Sequence, residues 1–173
     1  MPLHNVTLHS AQAWRWMGVA SLCTVADQAS KGVISAVFNL GAMRPVTGFF
    51  NLVRVMNPGA AFSFLADQTG WQRWFFMTLA MTASLALIVM LARKPHAKEA
   101  LGYAMILGGA ASNLLDRLQY GAVVDWLDFH LWNLHWPAFN LADVWIVCGA
   151  GWVIFVSVRR PTDSASQRDT HDH

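Results

Sequence analysis

Three aspartates in the second half of the chain have a residue type and a spacing that could support acid–base chemistry. Asp116 follows two leucines, Asp125 lies between a valine and a tryptophan, and Asp143 precedes a long apolar run. Two carboxyl groups that share one water molecule cannot both ionise easily, so one acts as a base while its protonated partner acts as an acid. Such a pair titrates as a unit. The three acids therefore indicate acid–base chemistry on a water molecule.

The neighbours of these acids predict different behaviour for each. Apolar residues on both sides of Asp125 favour burial, which raises the pKa of a carboxyl group toward values useful for catalysis; a solvated turn is the alternative. Arg117 beside Asp116 favours the ionised carboxylate and therefore a supporting role. Asn140 and Asp143 have the spacing of a helix N-cap and its third residue, so helix capping is the alternative to catalysis at Asp143.

Patterns typical of other catalytic classes are missing from the sequence. It contains no GxSxG, HExxH or P-loop motif, which argues against the serine hydrolase, zincin and P-loop classes. His130 and His135 lie between Asp125 and Asp143 in the sequence, but their spacing of five residues indicates coincidence rather than a metal site. The sequence predicts neither a metal nor a cofactor.

The composition places these acids in a membrane protein. The chain of 173 residues is 55% hydrophobic and only 13% charged, which is about half the charged fraction of a typical soluble domain. Its length suggests a single domain, and a formal net charge of +2 excludes the basic surface of a general nucleic-acid-binding protein. The nineteen residues from Trp74 to Ala92 carry no charge, which is enough helix to cross a hydrocarbon core of roughly 30 Å.

Apolar segments predict four transmembrane helices, at about residues 14–38, 74–92, 98–116 and 139–158. With four spans, both termini lie on one side of the membrane together with the loop that begins at Arg93, and most basic residues are on that side. The positive-inside rule therefore places both termini in the cytoplasm and the three acids near the outer face. We expect a single membrane-embedded domain over residues 1–160 and a polar cytoplasmic tail over residues 161–173.

The two outer segments differ in character. Residues 39–72 are rich in β-branched and aromatic residues interrupted by glycine and proline, which predicts short strands. The second outer segment contains Trp126, Trp132 and Trp136, and we expect an amphipathic stretch that lies along the membrane interface. The predicted fold class is membrane all-α, with four transmembrane helices and an interfacial amphipathic segment.

A pair of opposite charges lies within the first predicted span. Asp27 and Lys31 are four residues apart with the acid first, which is the favourable order for a helical ion pair. Ionisable groups inside a span are costly and often functional, so a functional role is the alternative to a structural pair. On the third predicted helix, Asn113, Asp116 and Arg117 share one face, and the small residues before them allow another helix to approach.

Five short motifs follow one another along the chain. They are DQASK at Asp27–Lys31, NPGAAFS at Asn57–Ser63, GGAASNLLDR at Gly108–Arg117, VVD at Val123–Asp125 and FNLAD at Phe139–Asp143. Each motif alone is weak, but their order together with the four predicted spans is specific. Over about residues 14–158 the sequence resembles bacterial lipoprotein signal peptidase, also called signal peptidase II.

The resemblance implies a membrane aspartyl endopeptidase of the bacterial inner membrane. Such an enzyme cleaves prolipoproteins just before a lipobox cysteine that already carries a diacylglyceryl group. By this resemblance, Asp125 and Asp143 are the catalytic dyad. The residues that it implies for substrate binding or support are Asp27, Lys31, Asn57, Gly59, Asn113, Asp116, Arg117 and Asn140. It also implies that the NPGAAFS segment belongs to a small periplasmic β-cradle above the cleft.

The partners implied by the resemblance are diacylglyceryl-prolipoproteins, membrane lipid and inhibitors of the globomycin type. The alternative function is a small proton-coupled transporter, or a membrane binding subunit, that uses the acids as a relay. A transporter is expected to carry ionisable groups at mid-membrane and on both sides. Here, Asp116, Asp125 and Asp143 gather near one face. A purely structural four-helix protein would leave Asp125 and Asp143 without a role beyond capping.

Overall fold

A computed structural model shows a mostly helical protein with one small antiparallel sheet. It describes residues 4–59, 71–93 and 95–159, with the backbone alone for residues 4–11 and residue 72. The helices are α1 (His4–Val37), α2 (Trp71–Ala92), α3 (Ala97–Tyr120) and α4 (Leu141–Val158). The strands are β1 (Met43–Pro45), β2 (Phe50–Asn57), β3 (Val123–Leu131) and β4 (Leu134–His135).

The four helices overlap the four segments predicted from the sequence, with shifted ends. α3 continues to Tyr120 because Gly121, with a φ of 77°, provides the left-handed C-cap at which a helix can stop. α4 begins at Leu141, two residues later than expected, because Asn140 is its N-cap. The last four residues of the NPGAAFS motif and the predicted tail, residues 161–173, lie outside the described residues.

Within the described residues, two helical segments are long and apolar enough to cross a membrane by length and composition, Arg73–Ala92 and Leu141–Val158. Both leave most of their side chains on the outside of the protein, as expected of helices in contact with lipid. α1 and α3 instead carry charged side chains that are buried between them, Asp27, Lys31 and Asp116. That all four helices span the membrane remains a prediction.

α3 is the central helix, and glycines allow its neighbours to approach its backbone. It packs against α1, α2 and α4. A Cβ atom on Gly108 would lie 2.5 Å from the carbonyl oxygen of Ala20 in α1, and one on Gly102 would lie 2.8 Å from the carbonyl oxygen of Gly149 in α4. These distances leave no room for a side chain. The run of small residues in α3 therefore serves close helix packing.

The sheet has the strand order β1-β2-β3-β4, and all its neighbours are antiparallel. In the β2–β3 pair, Asn57 lies opposite Val123 and Val55 lies opposite Asp125. A bridge between Leu127 and Phe139 holds the chain before α4 against β3. The sheet thereby brings the end of β2, the start of β3 and the start of α4 to one place.

The structure confirms short strands in the first outer segment and corrects the prediction for the second. The second outer segment forms β3 and β4, which belong to the sheet, rather than a separate stretch. Its predicted position along the membrane interface stays a prediction. Val123–Leu131 is rich in valine and aromatic residues, which favour strands. Pairing with β2 also satisfies backbone groups that an isolated stretch would leave without partners. The fold class is therefore mostly helical with a small antiparallel sheet that draws on both outer segments.

The contact between α3 and α4 can be tested with two glycines of α4. A Cβ atom on Gly149 would lie 2.7 Å from the carbonyl oxygen of Gly102, whereas one on Gly151 would meet nothing within 4 Å. We expect Gly149→Ala to lower the Tm in detergent. Gly151→Ala should leave the Tm unchanged or raise it, because alanine is favoured over glycine in helices by about 1 kcal/mol. Equal Tm values for the two purified variants would contradict the close packing.

Candidate active site

A buried lysine lies at the centre of a polar cluster between α1 and α3. Nζ of Lys31 lies 2.6 Å from Oδ2 of Asp27 and 2.8 Å from Oδ2 of Asp116. None of these three side chains is more than 3% exposed. The predicted helical pair of Asp27 and Lys31 is therefore present, and the same cation also compensates a second buried carboxylate.

The cation beside Asp116 differs from the one that the sequence suggested. Arg117 donates from Nη1 to the carbonyl oxygen of Asn113 at 3.1 Å, and its guanidinium lies 5.4 Å from the centre of the Phe76 ring. Adjacent residues of a helix do not face each other. Asp116 therefore pairs with Lys31, which is distant in sequence, while Arg117 contacts a carbonyl group and an aromatic ring.

Two polar side chains that sequence reasoning did not identify complete this cluster. Nε2 of Gln28 donates to Oδ1 of Asp116 at 2.7 Å and to Oγ of Ser112 at 3.0 Å. Oγ of Ser112 in turn donates to Oδ2 of Asp27 at 2.7 Å. Both residues lie within motifs of the sequence, next to charged or amide residues on α1 and α3. A buried polar side chain needs a hydrogen-bond partner. The available signal in the sequence was therefore the position of Gln28 and Ser112 next to residues that were expected to be buried and polar.

The two buried carboxylates also hold backbone amides near the remaining acids. Oδ2 of Asp116 accepts a hydrogen bond from the backbone N–H of Val124 at 3.0 Å. Oδ1 of Asp27 accepts one from the backbone N–H of Ala142 at 2.9 Å. Each of these amides belongs to the residue that directly precedes one of the other two aspartates. The cluster therefore positions those aspartates through the main chain.

Asp143 lies in the first turn of α4, where the predicted capping interaction is present. The backbone N–H of Asp143 donates to Oδ1 of Asn140 at 3.0 Å, and the backbone N–H of Asn140 donates to Oδ2 of Asp143 at 3.3 Å. Oδ1 of Asp143 accepts a further hydrogen bond from Nδ2 of Asn113 at 2.9 Å. Oδ1 of Asn113 in turn faces Lys31 at 3.1 Å, which orients the amide. Capping and a place in the site are thus compatible.

Asp125 is held by two asparagines. Nδ2 of Asn140 donates to Oδ1 of Asp125 at 2.6 Å, and Nδ2 of Asn57 donates to Oδ2 at 2.9 Å. Oδ1 of Asn57 accepts the backbone N–H of Gly59 at 2.9 Å, which fixes the orientation of the Asn57 amide. Gly59 has a φ of 104°, a conformation that suits glycine. Asn140 therefore links Asp125 of β3 to the first turn of α4.

Burial changes the acidity of Asp125, whose side chain is 1% exposed. Loss of solvation raises the pKa of this carboxyl group to about 7, and the negative charge of Asp143 acts in the same direction. The hydrogen bonds from Asn57 and Asn140 act in the opposite direction without overcoming burial. A carboxyl group with this pKa exists in both protonation states near neutral pH, as a general acid requires.

A separate polar group lies further along β3. Nδ1 of His135 lies 2.9 Å from Oδ1 of Asp128, and Nδ2 of Asn51 donates to Oδ2 of Asp128 at 2.7 Å. Burial disfavours the charge on Asp128, but its hydrogen bonds outweigh that effect and lower its pKa. The rings of His130 and His135 stack with centroids 5.0 Å apart. Within the described part of the chain, no three His, Cys, Asp or Glu side chains form a metal-binding group.

Comparisons with known proteins give the family. Residues 19–159 match the family model described as Signal peptidase (SPase) II. The chain is 51% identical over 148 residues to the lipoprotein signal peptidase of Cupriavidus necator, covering 84% of this chain and 83% of that protein. It is 50% identical over 148 residues to the lipoprotein signal peptidase of Ralstonia nicotianae, covering 84% of each. The chain therefore belongs to the signal peptidase II family.

Two solved structures share the fold. Both are described as bacterial membrane enzymes determined by the in meso method, one at 2.3 Å and one at 1.9 Å resolution. The first has a TM-score of 0.73 and 23% identity, covering 92% of this chain and 94% of that one. The second has a TM-score of 0.75 and 22% identity, covering 85% and 94%. Family and fold together identify a membrane peptidase, and the transporter alternative has no support.

Removal of the central lysine should destabilise the protein strongly. Lys31→Met leaves two buried carboxylates without their cation, and breaking a buried pair in this way typically costs about 3–5 kcal/mol. We therefore expect a large fall in the Tm or a loss of folded protein. Lys98→Met, which alters an exposed lysine of α3, is the matched control and should behave like the unmodified protein. If both variants melted at the same temperature, Lys31 would not be a structural centre.

Proposed function

We propose that the chain is a membrane aspartyl endopeptidase that removes signal peptides from diacylglyceryl-modified prolipoproteins by cleaving before the lipidated lipobox cysteine. Membership of the signal peptidase II family and relatives named lipoprotein signal peptidase support this reaction. The observation that carries the aspartyl assignment is the position of Asn140, which donates to Asp125 and caps α4 together with Asp143. It links the two acids that we assign as the dyad.

The environments of the two acids suggest which one carries the shared proton. Asp125 is buried, and its pKa of about 7 favours the protonated form in slightly acidic solution and leaves a substantial protonated fraction at neutral pH. Asp143 lies at the N-terminus of α4, where the helix dipole favours a negative charge. It also accepts hydrogen bonds from Nδ2 of Asn113 and from the backbone N–H of Asn140. We therefore assign Asp125 as the acid and Asp143 as the base.

In the proposed reaction, a water molecule binds between the two carboxyl groups. Asp143 takes a proton from this water as its oxygen attacks the carbonyl carbon of the scissile peptide bond. Asp125 gives its proton to the carbonyl oxygen, which yields a neutral gem-diol. The C–N bond then breaks as Asp143 returns its proton to the leaving nitrogen, and Asp125 recovers its proton from one hydroxyl group. Both acids regain their starting states.

The remaining site residues serve this pair in the proposal. Asn57 and Gly59 form the side of the site at the end of β2 and orient Asp125 toward the substrate. Lys31 and Asn113 orient Asp143. Asp27 and Asp116 position the backbone beside the dyad, and Arg117 supports α3 through its contact with Asn113. The substrate acyl chains lie along apolar helix faces, where each buried methylene contributes about 0.8 kcal/mol.

The proposal includes a location and a topology. All four helices span the bacterial inner membrane, both termini are cytoplasmic and the dyad lies near the outer face below the sheet, which we interpret as a periplasmic β-cradle. The apolar surfaces of α2 and α4 support membrane embedding. Catalysis uses neither a metal nor a cofactor, so a chelator should leave cleavage intact. Globomycin-type cyclic peptides are expected to inhibit by blocking the dyad.

Substitution of either proposed catalytic acid tests the assignment. Asp125→Asn and Asp143→Asn should each abolish cleavage of a diacylglyceryl-modified prolipoprotein peptide in detergent or lipid, because an amide cannot exchange the required proton. Asp128→Asn is the matched control, since it alters another buried aspartate of β3 that pairs with His135 instead. It should retain turnover. Full activity in either dyad variant, provided that the protein is folded, would refute the assignment.

In this proposal, the pKa of Asp125 determines the alkaline side of the pH–rate profile. Because burial raises the pKa of Asp125 from 3.8 to about 7, the acid is protonated below that pH and ionised above it. We expect kcat/KM to fall by about tenfold per pH unit well above neutrality. Cleavage rates from pH 5 to pH 9 measure this. An unchanged rate up to pH 9 would exclude Asp125 as the acid.

The same titration has a consequence for stability that serves as a control. A raised pKa means that the folded state binds the proton more tightly than the unfolded state does. This contribution is complete below pH 3.8 and is lost as the pH rises through about 7. Asp125→Asn has no such proton, so its Tm should depend less on pH over that interval. The comparison requires no substrate and therefore separates acidity from activity.

A further inference from the structure

The end of the sheet carries an unusually apolar hairpin. Leu131 at the end of β3 pairs with Leu134 at the start of β4, which leaves a turn of two residues, Trp132 and Asn133. The side chains on this tip are exposed: Trp132 is 83% accessible, Leu134 75%, Trp136 65% and Leu131 62%. We refer to residues 131–136 as the hairpin tip. Apolar groups concentrated in this way are typical of an interaction surface.

The backbone of Trp132 supports a role for its side chain. Its φ of 53° lies in the left-handed region, and within the described residues it is the one non-glycine residue with a positive φ. Turns of two residues ordinarily place asparagine, aspartate or glycine in this conformation. A bulky residue in the left-handed region is strained. Strain at an exposed tryptophan is explained if the projecting indole has a partner outside the protein.

The charges around the hairpin tip suit a membrane interface. From Phe129 to Asn140 the sequence contains no aspartate, glutamate, lysine or arginine. The nearest such residue in sequence before the tip is Asp128, which is 4% exposed and pairs with Asn51 and His135. Within the tip, the titratable side chain is His135, which pairs with Asp128. The tip can therefore enter the boundary between headgroups and acyl chains without placing an unpaired formal charge there. Tryptophan is the residue that favours this boundary most clearly.

The hairpin tip is also continuous with a membrane-spanning element. Trp136 is five residues before Leu141, the first residue of α4. Asp125 and Leu131 are six residues apart on β3, which corresponds to roughly 20 Å of extended chain. If β3 stood perpendicular to the membrane, the tip would extend that far into water with its tryptophans uncovered. If β3 lies along the membrane surface, the tip and Asp125 are at a similar depth.

We propose that the hairpin tip is an anchor that inserts into the lipid interface on the side where α4 begins, with Trp132 as its principal contact. The partner is the boundary between lipid headgroups and acyl chains. Insertion holds β3 along the membrane surface and so keeps Asp125 at the depth of the helix ends. The anchor is independent of the dyad assignment, because it depends on the surface of the hairpin and not on the reaction.

A fluorescent label at position 134 measures the depth of the tip while Trp132 stays in place. Leu134→Cys is made in a background of Cys23→Ala and Cys148→Ser, labelled and reconstituted into lipid vesicles. Quenching by lipids with a shallow nitroxide group is compared with quenching by aqueous iodide. The same label on His96→Cys, an exposed position between α2 and α3, is the reference for water. We expect strong nitroxide quenching at position 134 and several-fold weaker iodide quenching than at position 96.

Trp132→Asn then tests the assigned anchor within the labelled protein. Asparagine tolerates the left-handed backbone, so the Tm in detergent should be unchanged or higher. In vesicles, nitroxide quenching at position 134 should fall and iodide quenching should rise, whereas Trp132→Phe should retain most of the lipid contact. Iodide quenching at position 134 equal to that at position 96 would overturn the proposal. Lipid quenching that persists in Trp132→Asn would remove Trp132 as the anchor.

Discussion

The position of Lys31 between two carboxylates is the interaction on which the rest of the structure depends. Its ammonium group lies within 2.8 Å of both Asp27 and Asp116, and all three groups are shielded from solvent. A buried charge is tolerated only when opposite charges and hydrogen bonds compensate it. The geometry of the cluster therefore dictates how α1 and α3 face each other. It also gives two carboxylates a fixed location from which they hold neighbouring backbone.

The aspartates share one kind of side chain but acquire different properties from their surroundings. Asp116 has a cation and hydrogen-bond donors around it, which hold its carboxylate in one position. Asp125 has comparable burial but receives its hydrogen bonds from two neutral amides, so burial dominates and raises its pKa. Asp128 is paired with an amide and a histidine, and its pKa is lowered. This contrast explains how aspartate can serve both as a structural residue and as the proposed catalytic acid.

Much of this arrangement could be predicted because it depends on local chemistry. The spacing of Asp27 and Lys31 predicted their ion pair, and the spacing of Asn140 and Asp143 predicted the capping interaction. Uncharged runs predicted α2 and α4. The partner of Asp116 could not be predicted, because Lys31 lies 85 residues away in sequence. Gln28 and Ser112 were missed for the same reason, since their partners lie on the other helix.

The sequence by itself determined which residues are apolar enough for a membrane, which four segments form helices, and which acids could take part in chemistry. These properties follow from composition and from interactions within one or two helical turns. Only the tertiary structure decided that the second outer segment completes a sheet, and that Asn140 links Asp125 to α4. Strand pairing and buried hydrogen bonds join residues that are far apart along the chain, so local pattern does not specify them.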